Sequence, residues 1–341
     1  MPIRIAVDAM GGDFAPLETV KGAVQAAREY DIAIQLVGNE AQIKEELAKY
    51  DTNGLDIGIT HTDEVIEMGE APAKALRAKK KASIVLTVES VAKGESQGLV
   101  AAGSTGAAMA ASLFGLGRLP GIKRPVICCT MPTIKRPVAM LDGGANSDCE
   151  PEMLYEFAIM GKIFAELILD YKNPKVGLMN IGEEEGKGNE LAKATYNILN
   201  AKKDFLNFIG NIEGRDVFTG DCQVIVCDGF VGNVILKTAE GVLTMVSRML
   251  KQEYKSSLWN MLVGLLSKGI FSGFKKRIDY EKIGGALLLG VKGISVISHG
   301  SSKAYAIKNA IRVAKEAVEK DVNKKIVEMY NESRKTANET V

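Results

Sequence analysis

Lys187 and His299 are the side chains best suited to chemistry in this sequence. Lys187 lies in NIGEEEGKGNE (Asn180–Glu190), where flanking glycines give a cation freedom to close on an anion. His299 lies in SHGSS (Ser298–Ser302), where an imidazole can protonate a leaving group or hydrogen-bond a carbonyl. Four more polar, glycine-containing turns occur, at Asp8–Asp13, Ala101–Ala107, Leu141–Asp148 and Cys227–Asn233. Asn146 and Asn233 from these turns, with Asn180 from the Lys187 turn, are candidate donors to an oxyanion or a phosphate. Gly103, Ser104, Thr105 and Gly106 form a candidate anion nest, with Ser301 and Ser302 beside His299. Asp8 and Asp13 are expected to order loops. Asp228 either does the same or orients His299. Turn capping is the competing reading for each of these polar residues, and a solvated surface lysine is the competing reading for Lys187.

Short apolar runs that alternate with helical patterns must position these turns. Strand-like runs fall at Ile3–Val7, Ala33–Val37, Ile57–Thr60, Gly98–Ala102, Val126–Met131, Val138–Leu141, Lys175–Asn180, Gln223–Cys227 and Val296–Ser298. Helical patterns separate them, including Pro16–Tyr30, Ile84–Lys93, Met153–Leu169, a long stretch from Asn233, and Ala304–Tyr330. This predicts an α/β fold with a mostly parallel, doubly wound sheet. Ligands of such sheets sit at the carboxyl ends of strands, so all six turns are expected along one edge, around one cleft. Residues 1–330 read as one unit of two intimately joined subdomains, with a long helix and amphipathic segment at 239–277. The polar tail Asn331–Val341 is expected to fray.

Composition narrows the function. Lys plus Arg is 43 and Asp plus Glu is 42. That balance speaks against a general nucleic-acid binder. None of the five cysteines forms a C-x-x-C pair, and the two histidines offer no metal spacing, so no metal or other cofactor is expected. No signal pattern and no run of about 18 apolar residues is visible, so a cytoplasmic protein with no membrane span is expected. GESQG (Gly94–Gly98) has the letters of a nucleophile elbow, but helix and strand stand in the wrong order around Ser96. GEEEGKG (Gly182–Gly188) misses the Walker spacing by one residue, and GLGRLPG (Gly115–Gly121) misses the dinucleotide spacing.

SSLWNMLVGLLSKGIFSGFKKR (Ser256–Arg277) places Leu258, Leu262, Leu265 and Leu266 on one helical face. Trp259 suits a headgroup boundary, and Lys268, Lys275, Lys276 and Arg277 add charge. The pattern predicts a protruding helix that lies on a membrane; a core or subunit-interface helix is the alternative.

Taken together, IAVDAMGGDFAP (Ile5–Pro16), AAGSTGA, LDGGAN, NIGEEEGKGNE, FIGNIEGRD (Phe208–Asp216), VIVCDGFVGNVILKTAEG (Val224–Gly241), GGALLLGVKG (Gly284–Gly293) and SHGSS resemble one family. It is the acyl carrier protein–phosphate acyltransferases of bacterial glycerolipid synthesis, matched in order over roughly residues 4–303. Ser104 stands where that family commonly has Asn, and Gly143 where it has Val. The resemblance implies a fold like isopropylmalate dehydrogenase and phosphotransacetylase, a homodimer, and an active site in an interdomain cleft. It implies transfer of a long-chain fatty acyl group from acyl carrier protein to inorganic phosphate. It also implies that the acyl phosphate feeds a membrane glycerol-3-phosphate acyltransferase, with the enzyme peripheral at the inner face of the membrane.

Phosphate is already an anion near neutral pH and a thiol of pKa near 8.5 leaves well, so direct attack on the thioester needs positioning and oxyanion stabilisation rather than a Ser–His pair. A two-step route through Cys149 is the alternative mechanism. A small-acyl phosphotransacetylase and a non-catalytic membrane scaffold are the alternative functions. Lys79–Lys81, Lys123–Arg124 and Lys275–Arg277 are candidate contacts for an acidic carrier protein.

Overall fold

The computed structural model describes residues 2–278 and 284–338, without the side chains of 275–278 and 336–338. Eleven strands form one sheet: β1 (Arg4–Asp8), β2 (Ala33–Gly38), β3 (Ile57–His61), β4 (Gly98–Ala101), β5 (Val126–Met131), β6 (Val138–Leu141), β7 (Val176–Met179), β8 (Phe208–Ile212), β9 (Val224–Val226), β10 (Ala286–Leu289) and β11 (Ile294–Ile297). Their order is β3-β2-β1-β4-β11-β10-β5-β6-β9-β7-β8. The expected α/β fold with a mostly parallel sheet is present. Two strands escaped the sequence reading: β8, whose FIGNI mixes polar and apolar residues at the sheet edge, and β10, a short ALLL run between glycines.

Strand alternation divides the core between the two faces of the sheet. Ile5, Val7, Val100, Cys128, Leu141 and Val296 pack on one face against the helices Leu17–Tyr30, Pro151–Leu167 and Ala304–Glu319. Ala6, Leu99, Ile127, Cys129, Met140 and Leu288 pack on the other, with helices Ser83–Ala92 and Thr105–Leu116. Both faces are covered, which is why the strands read as nearly continuous apolar runs.

One expectation about the turns is corrected. β11 is parallel to β4, and β6 to β9, but β11–β10, β10–β5 and β5–β6 are all antiparallel. Three reversals in succession make the two parallel blocks run in opposite senses. The strand-end turns therefore do not line one edge. Those of β1, β4 and β11 approach from one side and those of β6, β9 and β7 from the other, across the antiparallel junction.

Three other expectations also change. The final helix is two helices, Ala304–Glu319 and Val322–Asn338, broken where Asp321 adopts φ 51. The tail expected to fray from Asn331 is helical to Asn338, with Ser333 buried. The helix Gly229–Lys255 has the length and hydropathy of a membrane span, although the sequence alone suggested none. Its first turn is fixed inside the protein. A Cβ at Gly232 would lie 1.9 Å from the Asp142 carbonyl oxygen, so only glycine fits.

Past Lys255 the chain folds back as the helices Leu258–Leu266 and Lys268–Ile278. Asn260 Nδ2 donates to Ser256 Oγ (2.8 Å) and to the Glu253 carbonyl (3.2 Å), and a Cβ at Gly264 would meet the Tyr254 ring at 2.7 Å. The polar side of Leu258–Leu266 thus seats on the long helix. Its apolar side points away, leaving Leu258 86%, Leu266 78% and Trp259 71% exposed, with Leu262 and Leu265 also exposed.

Candidate active site

A cavity of about 240 Å³ opens over the antiparallel junction. Its floor is apolar, with Ile127, Cys129 and Met131 from β5 beside Ala286 and Ile297. Polar residues stand at two poles.

Thr105, His299 and Ser302 mark the first pole. Ser104 caps the helix Thr105–Leu116, its hydroxyl accepting from the Ala107 N–H at 3.4 Å, so Thr105 opens the helix beside the cavity. Gly106 makes room for Pro72, whose Cγ would lie 2.9 Å from an added Cβ. The turns after β1, β4 and β11 interlock. The Asp13 N–H donates to the Gly300 carbonyl at 2.8 Å, and a Cβ at Gly11 would lie 2.8 Å from the Gly103 nitrogen. Asp8 is buried beneath them, and burial pushes its carboxyl up to about 6.

The His299 ring is exposed. Its Nδ1 accepts from the Ser301 backbone N–H (3.2 Å) and lies 2.8 Å from Ser301 Oγ. An Nδ1 that accepts carries no proton, so the neutral ring keeps its proton on Nε2 as a free donor. Ser301 therefore orients His299. The suggested orienting role of Asp228 is not found: its Oδ1 accepts from the Val231 N–H at 2.8 Å and caps the long helix. Sequence reasoning passed over Ser298, which lines the cavity and is buried with no partner for its hydroxyl among the described residues. In the motif it is one serine among three, and only burial singles it out.

Gly143 and Asn233 mark the second pole. Asp142 organises it. Its buried carboxylate accepts from the N–H groups of Ile127 (3.3 Å), Gly144 (3.0 Å), Ala145 (2.9 Å) and Asn146 (2.7 Å), and from Asn146 Nδ2 (2.8 Å). Burial outweighs these bonds and still raises the carboxyl above the ordinary aspartate range. Asn146 Nδ2 gives its second hydrogen to the Pro125 carbonyl at 2.9 Å, so Asn146 braces the turn and has no donor left for phosphate. Asn233 stands beside Gly144, and its amide makes no hydrogen bond among the described residues.

Lys187 and Asn180 do not line the cavity. They share the turn after β7, in the same block as Asn233. Asn180 ties this turn: its Oδ1 accepts from the Ile181 N–H (2.8 Å) and its Nδ2 donates to the Lys187 carbonyl (3.1 Å). Gly188, at φ +93, passes so close that a Cβ would sit 2.5 Å from Asn180 Oδ1. Lys187 is exposed and has no ion pair among the described residues.

Strand register sets the separation of the poles. Ala286 pairs with Ile297 and stands opposite Cys129, so His299 is level with Met131. The Gly143 N–H donates to the Ile127 carbonyl at 2.9 Å. Four residue steps of β5, from Ile127 to Met131, separate these levels, or about 13 Å of backbone at ~3.3 Å per residue. With a histidine at one pole and an asparagine at the other, the cavity can hold two small reactants.

Cys149 is half-buried, and its thiol is pushed up to about 12, mainly by burial and then by Asp142 and Asp228. A thiol there is not a ready nucleophile. Two of the carrier-contact candidates are already paired with carboxylates. Lys79 pairs with Glu70, and Lys123 with Glu150 at 2.8 Å. The side chains of Lys275, Lys276 and Arg277 lie outside the described residues. Among the described residues no group of three His, Cys, Asp or Glu is placed to hold a metal.

Comparison with known proteins agrees with the fold and the family resemblance. A phosphate acyltransferase of Dictyoglomus turgidum is 53% identical over 330 residues, covering 96% of this chain and 98% of its own. One of Pelotomaculum thermopropionicum is 52% identical over 318 residues, covering 93% and 92%. A phosphotransacetylase from Streptococcus pyogenes shares the fold, with a TM-score of 0.63, 17% identity, and coverage of 93% of this chain and 94% of that one. The model of the family described as fatty acid synthesis protein matches residues 3–325, and the chain belongs to that family.

Proposed function

We propose that the chain transfers a long-chain acyl group from the thioester of acyl carrier protein to inorganic phosphate. The observation that carries the reading is the cavity itself: an apolar floor between two poles whose donors, the Asn233 amide and His299 Nε2, are unspent among the described residues. Phosphate binds on the Gly143–Asn233 side, where Lys187, on its glycine-flanked turn, closes over it and offsets its charge. The thioester lies on the Thr105–His299 side with its carbonyl between the poles. A phosphate oxygen attacks the carbonyl carbon, and Asn233 stabilises the oxyanion. The carbon–sulfur bond breaks, and the sulfur leaves toward His299 Nε2–H. Neither metal nor covalent enzyme intermediate is needed.

The leucines exposed on Leu258–Leu266 support peripheral attachment to a membrane, and with it delivery of the acyl phosphate to a membrane glycerol-3-phosphate acyltransferase. A homodimer and a cytoplasmic location with attachment to the inner membrane face complete the proposal. Small-acyl transfer, as the phosphotransacetylase fold suggests, is the second reading; the apolar floor and the leucine arm favour long chains.

The test is phosphate-dependent thiol release from palmitoyl–acyl carrier protein and from acetyl-CoA, with wild type, Lys187→Ala and Asn233→Ala. Palmitoyl phosphate formed by wild type, with each variant down roughly 100-fold, about 2.7 kcal/mol of transition-state stabilisation, supports the assignment and the site. Preference for acetyl-CoA favours the second reading, and full activity of Lys187→Ala removes Lys187 from the mechanism.

A further inference from the structure

The helix Gly229–Lys255 presents one apolar stripe that begins one turn after Asn233: Leu236, Ala239, Leu243, Val246 and Leu250. Its spacing of three and four residues keeps the stripe on one face. Leu236, Ala239 and Leu243 line the cavity opposite Ile127, Cys129 and Met131 of β5. Leu236 and Ala239 also pack on the core cluster that contains these three β5 residues. Lys237 and Glu240, from the same stretch of the helix, border the cavity that Cys129 lines. Those two side chains pair with each other at 2.9 Å and are half-exposed, so they sit on the rim and leave the floor apolar. Beyond Leu243 the stripe leaves the cavity, and Val246 and Leu250 are 39% and 36% exposed.

We infer that this stripe is a track for the acyl chain, and that its length sets how much chain the protein shelters. The inference rests on the proposed acyl transfer and goes further by assigning residues to the chain. With the carbonyl between the poles, the first methylenes lie between Leu236–Leu243 and β5. The remainder follows Val246 and Leu250 out along the helix that carries the leucine arm. From Leu236 to Leu250 the helix rises about 21 Å at ~1.5 Å per residue. An all-trans chain of ~1.5 Å bonds advances about 1.25 Å per carbon, so the track accommodates roughly 16 carbons. A small acyl group would touch only its start.

Leu243→Asp and Val246→Asp place a charge about 10 Å and about 15 Å along the track from Leu236. Transfer to phosphate is measured without vesicles, using acyl donors of 4 to 16 carbons, with oligomeric state checked by light scattering. Leu243→Asp is expected to lower kcat/KM at least 10-fold for donors longer than roughly 8 carbons, and Val246→Asp only for those longer than roughly 12, by the same spacing. Butyryl transfer stays within 2-fold in Val246→Asp, which lies outside the cavity. Met245→Asp, on the far side of the helix, leaves the profile unchanged. Equal losses at every chain length, or loss together with a change in oligomeric state, overturn the track. Binding of cis-parinaric acid is the independent arm. Wild type with no transfer from any donor sinks the proposed function, whereas parinaric acid bound equally well by wild type and Leu243→Asp sinks the track alone.

Discussion

Changing Leu258 and Leu262 to Glu tests the exposed arm most directly. Leu258 is 86% and Leu262 46% exposed, so a lipid surface can take up about 1.3 leucine side chains' worth of area from this pair. At ~1.5–3 kcal/mol per fully buried side chain, the lost transfer energy is about 2–4 kcal/mol. That is a drop of roughly 30- to 1000-fold in partition coefficient before any cost of placing two carboxylates at the interface. The protein should be stable to the change, because neither leucine is buried in the chain. The assay is co-sedimentation with vesicles rich in anionic lipid, beside thiol release from a soluble donor. Lost sedimentation with retained turnover is the expected result. Unchanged sedimentation refutes the reasoning, and so does simultaneous loss of turnover and of the dimer, which would make the leucines a protein interface.

Asp8 makes stability depend on pH. Its folded pKa of about 6 lies above the ordinary aspartate value of 3.8, so the folded state holds the proton more tightly than the unfolded chain. The stabilisation is therefore full below about pH 4 and is lost as pH rises through 6, by an amount on the order of 3 kcal/mol. Urea midpoints across pH 4–7 should show this fall, and Asp8→Asn should flatten it. With its thiol near 12, Cys149 should react with iodoacetamide at pH 7.5 far more slowly than a free thiol, and Cys149→Ala should transfer acyl groups at the wild-type rate; trapping an acyl-Cys149 would reverse that conclusion. Gly232→Ala forces a methyl to within 1.9 Å of the Asp142 carbonyl. It should cost about 1–3 kcal/mol or more, read as a lower thermal midpoint.

The strands and their turns were legible because burial on both faces leaves uninterrupted apolar runs punctuated by glycine. β10 was not, since four apolar residues between glycines carry no period, and one of its two pairing partners, β5, lies far away in sequence. Opposed parallel blocks were hidden for the same reason: direction is a property of pairing, and the turns look alike whichever way their strands run. His299 and Asn233 could be picked out by residue type, but type did not show which asparagine was already spent. Asn146 and Asn233 stand in similar glycine-containing motifs, and only the Asp142 carboxylate, fully enclosed, separates a brace from a donor left over.

The junction also sets a timetable for synthesis. Ala101 of β4 pairs with Ile297 of β11, 196 residues later in the chain. At ~5–20 residues per second, the edge of β4 waits roughly 10–40 s for its neighbour while the chain emerges. The first block can assemble β1 to β4 early, but it cannot close its sheet until the second block has been made. The cavity floor, with β10 and β11, is the last part of the sheet to be laid down. A chain cut short before Ala286 therefore presents an unpaired, apolar strand edge, the form most prone to pair with another copy.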